Sequence, residues 1–198
     1  LGIAPTAIRA LMAHGDEPPQ QHDLSALRIL ASSGEAWNTE PWKWFLTHAG
    51  GGRAPIINYS GGTEIGGGIL GCVPTLPLVP NSFHGPVPGM IADVYDAAGR
   101  PVRGEVGELV VTQPFPGMTQ SFWGGDPATN DDARYLAAYW ERFPDTWVHG
   151  DWAIIENVHG EEYWFIRGRS DDTINVAGKR VGPAEFESAV VSHAKIKE

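Results

Sequence analysis

An α/β portion followed by an antiparallel β portion is the fold that the sequence predicts, on the basis of three observations. Helical and strand-like patterns alternate through residues 1–85. Through residues 86–169, paired runs of β-branched and aromatic residues are separated by short turns, which is typical of β-hairpins. Residues 170–198 begin another strand and helix. We therefore expect one domain to cover the first two segments and a second domain to start in the third.

In the first segment, apolar residues recur at helical spacing in two places and form short continuous runs in two others. Thr6 is the expected N-cap of the first helix, whose apolar face carries Ile8, Leu11 and Met12. The predicted elements are a helix at 5–15, a polar loop at 15–23, a strand at 27–34, a helix from Asn38 or Thr39 to Gly50, and a strand that enters a glycine-rich turn at 54–68.

The second and third segments are predicted mainly from runs of strand-forming residues bounded by turn residues. Proline at a first helical position marks one further helix start, because no N–H bond is lost there. The predicted elements are paired strands at 90–96 and 107–113, an amphipathic helix at 131–143, paired strands at 151–158 and 163–169, and a helix that begins at Pro183.

The charge balance and the single cysteine narrow the classes of function. The chain has 198 residues, a net charge of −10 and only 14 scattered Lys and Arg residues, so no nucleic-acid partner is expected. Cys72 is alone, which excludes a disulfide framework within the chain and favours a reducing, cytoplasmic setting. No apolar run approaches the length needed to span a membrane.

Three short motifs contain residues suited to binding a nucleotide. Glycines around Thr63 and Glu64 let backbone N–H groups approach a ligand, while the hydroxyl could bond a phosphate and the carboxylate could hold Mg²⁺. Asp151 follows a glycine at a strand start, where a carboxylate can accept hydrogen bonds from both ribose hydroxyls. Arg169 offers a planar donor fork for phosphates. Each motif also has a structural interpretation: a capped glycine turn, a turn aspartate, and a surface ion pair with a following aspartate.

Two other features are assigned to structure rather than to chemistry. His149 lies beside the Asp151 motif, but no serine or cysteine nucleophile pattern accompanies it. The eight tryptophans could form a surface that stacks on sugars, yet core packing accounts better for most of them.

The order of the motifs resembles that of the adenylate-forming superfamily, which includes acyl-CoA synthetases, nonribosomal-peptide adenylation domains and luciferases. The resemblance covers essentially the whole chain and is nearest to the acetyl-CoA and medium-chain acyl-CoA synthetases. The stretches that carry it are "APTAIRALM", "ASSGEAWN", "YSGGTEIGG", "GEVGELVV", "HGDWA" and "GRSDDTINVAGKRVGPAEFESAVVSH".

The resemblance implies the later part of a large N-terminal AMP-binding domain, with an α/β portion and a distorted β-barrel, and the start of a small C-terminal domain. It implies ATP or AMP, Mg²⁺ and CoA as ligands. The implied roles are adenine contact for Gly34, Glu35 and Ala36, α-phosphate contact for Thr63, Mg²⁺ binding for Glu64, ribose contact for Asp151, phosphate contact for Arg169, a hinge at Asp171, and CoA contact for Gly178 and Arg180.

Three positions depart from the family pattern. Ala36 replaces the usual proline, and Ser60 stands where most relatives have an aromatic residue that stacks on adenine, although Tyr59 is adjacent. Gly61 stands where acetyl-specific relatives have a tryptophan that closes the acyl pocket. The resemblance therefore implies a pocket for medium-chain or aromatic carboxylates, and with it a place in fatty acid metabolism.

The implied chemistry is attack of a carboxylate on the α-phosphate of ATP, which gives acyl-AMP and pyrophosphate, followed by thioester formation with CoA. The upstream phosphate loop and the C-terminal catalytic lysine of the family are missing from this chain, so we expect a fragment that is inactive alone. Two alternatives remain. One is an amino-acid-activating domain that loads a carrier protein, and the other is a non-enzymatic, β-rich carbohydrate-binding module.

Overall fold

The computed structural model describes residues 1–125, 128, 132–171, 174–176, 179–181 and 190. In its first part, short helices accompany a parallel pair of strands, and their buried apolar side chains form one core. The elements are α1 (Pro5–Met12), α2 (Glu17–Gln20), β1 (Leu30–Ser32), α3 (Thr39–Trp44), a π-helical turn (Phe45–Ala49) that continues α3, and β2 (Ile56–Asn58).

The sequence explains where these helices begin and end. Pro5 occupies the first turn of α1, where its missing N–H has no helical partner to lose. Asn38 is the N-cap residue of α3, and Gly50 follows the π-helical turn, as predicted. A side chain at Gly50 would overlap the carbonyl oxygen of Leu46, so glycine is also required by packing there.

Three predictions for this part are wrong in detail. The N-cap of α1 is Ala4 rather than Thr6. The Thr6 hydroxyl instead donates a hydrogen bond to the Glu35 carboxylate. Leu11 is 47% exposed, whereas Ile8 on the same helix is buried. The predicted polar loop at 15–23 contains the single turn of α2.

The glycine-rich stretch is a β-hairpin rather than the turn that the sequence predicted. Strand β3 (Ser60–Gly62) leads through a 3₁₀ turn (Thr63–Ile65) into β4 (Gly67–Gly71), which also pairs with β5 (Gly85–Pro86). A Cβ atom on Gly61 would overlap the carbonyl oxygen of Gly67 on the facing strand. The close approach of the two strands therefore requires glycine at this position.

A four-stranded antiparallel sheet forms the second part of the chain, and its hairpins confirm the predicted strand pairs. Helix α4 (Ala133–Tyr139) packs on it, with Trp147 stacked on Tyr139 at 4.0 Å between ring centroids. The helix is shorter than the predicted 131–143, and the Asp132 carboxylate caps it by accepting two backbone N–H bonds. In sheet order, the strands are β6 (Ala92–Tyr95), β7 (Gly107–Val111), β8 (Trp147–Val158) and β9 (Glu161–Arg169).

Beyond β9, strands β10 (Ile174–Val176) and β11 (Lys179–Val181) pair with each other in antiparallel fashion. Among the described strands, neither pairs with the four-stranded sheet. A domain boundary near residue 170 stays a prediction, and the helix predicted from Pro183 lies outside the described residues. The combination of an α/β part with antiparallel sheets confirms the predicted fold class.

The aromatic core around Trp147 gives a stability test. Trp147 has no exposed surface, so Trp147→Ala is expected to lower the free energy of unfolding by about 3–5 kcal/mol through the cavity it leaves. Trp123 is 99% exposed and serves as the matched control. Trp123→Ala should change the free energy by less than about 0.5 kcal/mol in the same urea titration. Similar small effects for both variants would contradict the core assignment.

Candidate active site

A cavity of about 480 Å³ lies where the glycine hairpin, the loop after β1, and strands β8 and β9 meet. Its volume falls within the range of about 300–1,000 Å³ that is usual for small-molecule pockets. The structure brings most of the predicted site residues together along its wall: Gly34, Glu35, Ala36, Tyr59, Ser60, Gly61, Thr63, Glu64, Asp151 and Arg169.

Three predicted residues are not among those that line this cavity. Asp171 lies two residues beyond Arg169, the last residue in the β8–β9 pairing, and its carboxylate contacts the Arg169 guanidinium. Gly178 lies outside the described residues. Arg180 lies in β11, where only the strand itself is described. The assignment of the last two residues to CoA stays a prediction.

The loop after β1 is tied to helix α1 through Glu35. Its carboxylate accepts hydrogen bonds from the backbone N–H and hydroxyl of Thr6 and from the Arg9 guanidinium, which is 2.8 Å away. Burial alone would raise the pKa of Glu35, but the bonds from Thr6 and Arg9 outweigh it, so the pKa is lowered. The Glu35 side chain is thus already engaged, and its contribution to the cavity is to fix the loop that begins at Gly34.

Tyr59 and three residues without an expected role supply the aromatic and apolar surface of the site. Tyr59 lies against the glycine strand, since a Cβ atom on Gly68 would overlap its ring. Its side chain stays 40% exposed at the rim. Trp37, Phe83 and Ile166 add apolar surface to the cavity that the sequence analysis did not assign to it.

Asp151 and Arg169 face each other across the β8–β9 pair. They are partners in the register of the two strands, and Nη1 of Arg169 lies 3.4 Å from Oδ1 of Asp151. The same guanidinium nitrogen donates to the carbonyl oxygen of His149 at 3.3 Å. Gly150 has a φ of 85°, and a Cβ atom there would lie 2.7 Å from Nη2 of Arg169. Glycine is therefore needed both for this turn of the backbone and for the arginine to lie against it.

Burial sets the ionisation of the two side chains at the base of the cavity. It raises the pKa of Asp151 to about 6, despite the opposing effect of Arg169. It lowers the pKa of His149 to about 4. Nε2 of His149 lies 3.6 Å from Oδ2 of Asp151, and Nδ1 has no hydrogen-bond partner among the described residues. Both groups carry less charge than they would in water, because little solvent reaches them.

Arg169 is held between two carboxylates. Besides Asp151, it donates to Asp171 through Nε at 3.0 Å and through Nη2 at 3.2 Å. The hydrogen bonds to Asp171 are the largest cause of its raised pKa, so it stays cationic. A planar cation fixed at the cavity wall in this way can donate hydrogen bonds to the oxygens of an incoming anion in a defined orientation.

Thr63 and Glu64 lie in the turn of the glycine hairpin. The carboxylate of Glu64 folds back beside Gly62, where an added Cβ would lie 2.8 Å from Oε1. Within the described residues, no group of three or more His, Cys, Asp or Glu side chains could hold a metal ion. A single carboxylate still suits Mg²⁺ that is also bound by substrate phosphates and water.

The chain matches the AMP-binding enzyme family over residues 1–123. It belongs to this family. Acetyl-coenzyme A synthetases of Rubrobacter xylanophilus and Methanothrix thermoacetophila are each 40% identical to it, over 100% and 98% of this chain. They are matched over 30% and 29% of their own lengths, so the chain spans about 30% of these curated relatives.

Two solved structures are also similar to this chain. Acetoacetyl-CoA synthetase from Streptomyces lividans superposes with a TM-score of 0.82 at 32% identity and covers 100% of this chain and 29% of its own. The anthranilate CoA ligase AuaEII, in complex with anthranoyl-AMP, has a TM-score of 0.76 at 28% identity, with 100% and 34% covered. The predicted resemblance to the superfamily and its fold is thereby confirmed.

His149 is a cavity residue to which the sequence pattern assigned no role in the site. It was assigned to structure because no nucleophile pattern lies near it, yet it is 3% exposed and lines the cavity. Arg9, Asn58 and Asn81 also line the cavity and were given no role. A polar residue directly before the Gly-Asp pair, on a strand that carries a binding residue, was the signal that could have identified His149.

The opposite pKa shifts of Asp151 and His149 predict opposite pH dependences of stability. Folded Asp151 keeps a proton that the unfolded chain releases, so the stability it contributes is lost as the pH rises from about 4 through 6. Folded His149 lacks a proton that the unfolded chain binds, so its contribution is lost as the pH falls from 6.5 to about 4.

Relative to wild type, Asp151→Asn should therefore become more stable as the pH rises from 4 to 6, and His149→Gln should become less stable as the pH rises from 4 to 6.5. Each difference should reach at most about 3 kcal/mol over this window. Urea unfolding at half-unit pH steps measures both, and comparison with wild type cancels the other titrating groups. Slopes of the same sign would show that burial does not control this pair.

Proposed function

We propose that the chain is part of an AMP-forming acyl-CoA synthetase, an acid–thiol ligase. The whole protein would convert a carboxylic acid and ATP to acyl-AMP and pyrophosphate, and would then transfer the acyl group to CoA. The observation that carries the proposal is the convergence of Thr63, Asp151 and Arg169 on one cavity. The names of the relatives and structural neighbours, acetyl- and acetoacetyl-CoA synthetases and a CoA ligase, support it.

Asp151 is suited to hold the ribose. Its side chain is 12% exposed, and burial disfavours its ionised form in the absence of a ligand. Two vicinal hydroxyls of a ribose would add hydrogen bonds to the carboxylate beyond the one that Arg169 donates at 3.4 Å. Binding would thereby stabilise the ionised carboxylate, since hydrogen bonds to the charged form favour it.

Arg169 and Thr63 are suited to the phosphates. The guanidinium lies beside Asp151, so a nucleotide whose ribose is bound there would place its α-phosphate within reach of the arginine. The Thr63 hydroxyl, from the turn of the hairpin, would bond the same phosphate. Positioning and charge stabilisation at the α-phosphate would provide most of the catalysis. Mg²⁺ bound at Glu64 would neutralise phosphate charge as the pyrophosphate leaves.

The rival functions are separated by specific features. An amino-acid-activating domain that loads a carrier protein would use the same nucleotide site, so activity with CoA as the acyl acceptor decides between them. A carbohydrate-binding module would present its tryptophans to solvent, but of the eight only Trp123 is exposed, and Trp37, Trp42, Trp147, Trp152 and Trp164 are buried.

The hinge at Asp171 and the CoA contacts of Gly178 and Arg180 also belong to the proposal of an acyl-CoA synthetase.

A cytoplasmic location also belongs to the proposal. The unpaired Cys72 thiol favours a reducing compartment, because disulfides dominate in oxidising ones. In the part of the chain that the structure describes, no helix combines the length and the apolar character needed to cross a lipid bilayer.

The nucleotide site is tested by Asp151→Ala in a full-length protein that carries this chain. Two hydrogen bonds to a charged group, each worth about 1.5–3 kcal/mol, would be lost, so the KM for ATP should rise at least about tenfold. Glu64→Gln should instead lower kcat and raise the Mg²⁺ concentration needed for half-maximal rate. Steady-state kinetics with ATP and Mg²⁺ varied separately measures both effects.

The matched control for Glu64→Gln is Glu40→Gln, whose side chain is 79% exposed and pairs only weakly with Lys43 at 3.5 Å. It should leave both constants within about twofold of wild type, since surface ion pairs contribute little. Wild-type kinetics in both Asp151→Ala and Glu64→Gln would remove the nucleotide assignment.

The absence of a side chain at Gly61 predicts a preference for acids longer than acetate. Each additional buried CH₂ contributes about 0.8 kcal/mol, close to fourfold, so kcat/KM should rise from acetate through butyrate to hexanoate. Benzoate tests the aromatic alternative. The substrates must be varied rather than residue 61, because any Cβ atom there overlaps the Gly67 carbonyl oxygen and would disturb the hairpin. Acetate as the best substrate would contradict this prediction.

A further inference from the structure

Glu108 is a fully buried carboxylate that takes no part in lining the cavity. It lies on β7, opposite Trp152 of β8. A buried charge is costly unless it is paired and hydrogen-bonded. Glu108 has both kinds of partner: an ion pair through Oε2 with the Arg142 guanidinium, and a hydrogen bond that the Ser170 hydroxyl donates to Oε1 at 2.8 Å.

Arg142 is itself held in position by aromatic rings. Its guanidinium carbon lies 5.1 Å from the ring centroid of Phe143 and 5.9 Å from that of Trp152. Stacking of this kind orients a guanidinium and stabilises its charge. The Glu108 carboxylate is therefore fixed from one side by Arg142, and its other oxygen is directed at Ser170.

Ser170 lies directly behind the cavity. Side chains alternate between the two faces of a sheet, so residues 169 and 170 point to opposite sides. Arg169 faces Asp151 and the cavity, whereas Ser170 bonds Glu108 on the other face. The Ser170 backbone N–H also donates to the carbonyl oxygen of Gly150 at 2.8 Å, which continues the β8–β9 pairing by one residue.

The chain leaves the four-stranded sheet at this point, since β9 ends at Arg169. The Asp171 side chain is 66% exposed. The next described strands, β10 and β11, pair with each other. Ser170 is thus bonded to the sheet through both its side chain and its backbone, close to the point where the chain leaves the sheet.

We propose that Glu108 is a positioning residue that acts through Ser170. Fixed by Arg142, its carboxylate holds the end of β9 so that the Arg169 guanidinium stays aligned with Asp151 at the cavity wall. The role for nucleotide affinity rests on the proposed function, because it requires Arg169 to bind a nucleotide phosphate. The anchoring of the strand end does not depend on that function.

The test uses Ser170→Ala and Ser170→Thr in the full-length protein that carries this chain. Alanine removes the hydroxyl that bonds Glu108, whereas threonine keeps it, and neither leaves Arg142 without its carboxylate. Ser82→Ala is the matched control, since its buried hydroxyl donates to the Val79 carbonyl oxygen rather than to the Glu108 carboxylate.

The first measurement is amide hydrogen exchange of the Ser170 N–H without ligand. Ser170→Ala should exchange about tenfold faster than wild type, because a hydrogen bond to a charged group is lost at the strand end. Ser170→Thr and Ser82→Ala should match wild type at this amide. The second measurement is the Kd for AMP by calorimetry, which Ser170→Ala should raise about three- to tenfold, with Ser170→Thr close to wild type.

An unchanged exchange rate at the residue 170 amide of Ser170→Ala would overturn the anchoring of the strand end, whatever the affinity for AMP. Faster exchange with unchanged AMP affinity would overturn the positioning role, provided that Asp151→Asn weakens AMP binding in the same assay. If Asp151→Asn also leaves AMP binding unchanged, the proposed nucleotide function fails, while the faster exchange supports the anchor. Loss of AMP binding that threonine does not restore would assign the effect to general damage at residue 170 and overturn the proposal.

Discussion

The register of β8 against β9 is the constraint on which the candidate site depends. It sets Asp151 opposite Arg169, with a bulge between Trp152 and Ala153 that changes the pairing just beyond them. A slip of β9 by one residue would turn Arg169 to the face of the sheet opposite Asp151 and separate the pair. The hairpin is therefore specified as much by its burial pattern as by the chemistry of the two residues at its open end.

Much of this arrangement follows from the sequence, and some of it cannot. Alternating β-branched and aromatic residues predict β8 and β9, and the order of the motifs predicts that Asp151 and Arg169 belong to one site. Gly61 has a second reason that its position did not suggest, because its contact with Gly67 depends on a hairpin that a glycine-rich sequence does not specify. Local propensity also predicted Thr6 as a helix cap, whereas its hydroxyl donates a hydrogen bond to the Glu35 carboxylate, 29 residues away.

The cavity is assembled with unsatisfied hydrogen-bonding capacity. His149 has a buried nitrogen without a partner in the described part of the chain, and Asp151 has a carboxylate whose ionisation burial opposes. Such groups lower the stability of the fold when no ligand is bound. A ligand that supplies hydrogen-bond donors and acceptors restores that stability. Affinity for a polyhydroxylated, anionic ligand can in this way be built from groups that are unfavourable in its absence.

At the end of β9, Arg169 faces the cavity, and Ser170 on the opposite face bonds the buried carboxylate of Glu108. Replacing a buried ion pair with apolar side chains of similar volume often leaves stability unchanged or improves it, so stability alone does not explain a carboxylate there. A carboxylate can, however, accept a directional hydrogen bond from Ser170 while Arg142 balances its charge, which an apolar side chain cannot do. Orientation of the strand end is what the buried pair adds, and Arg169 is the adjacent residue whose direction depends on it.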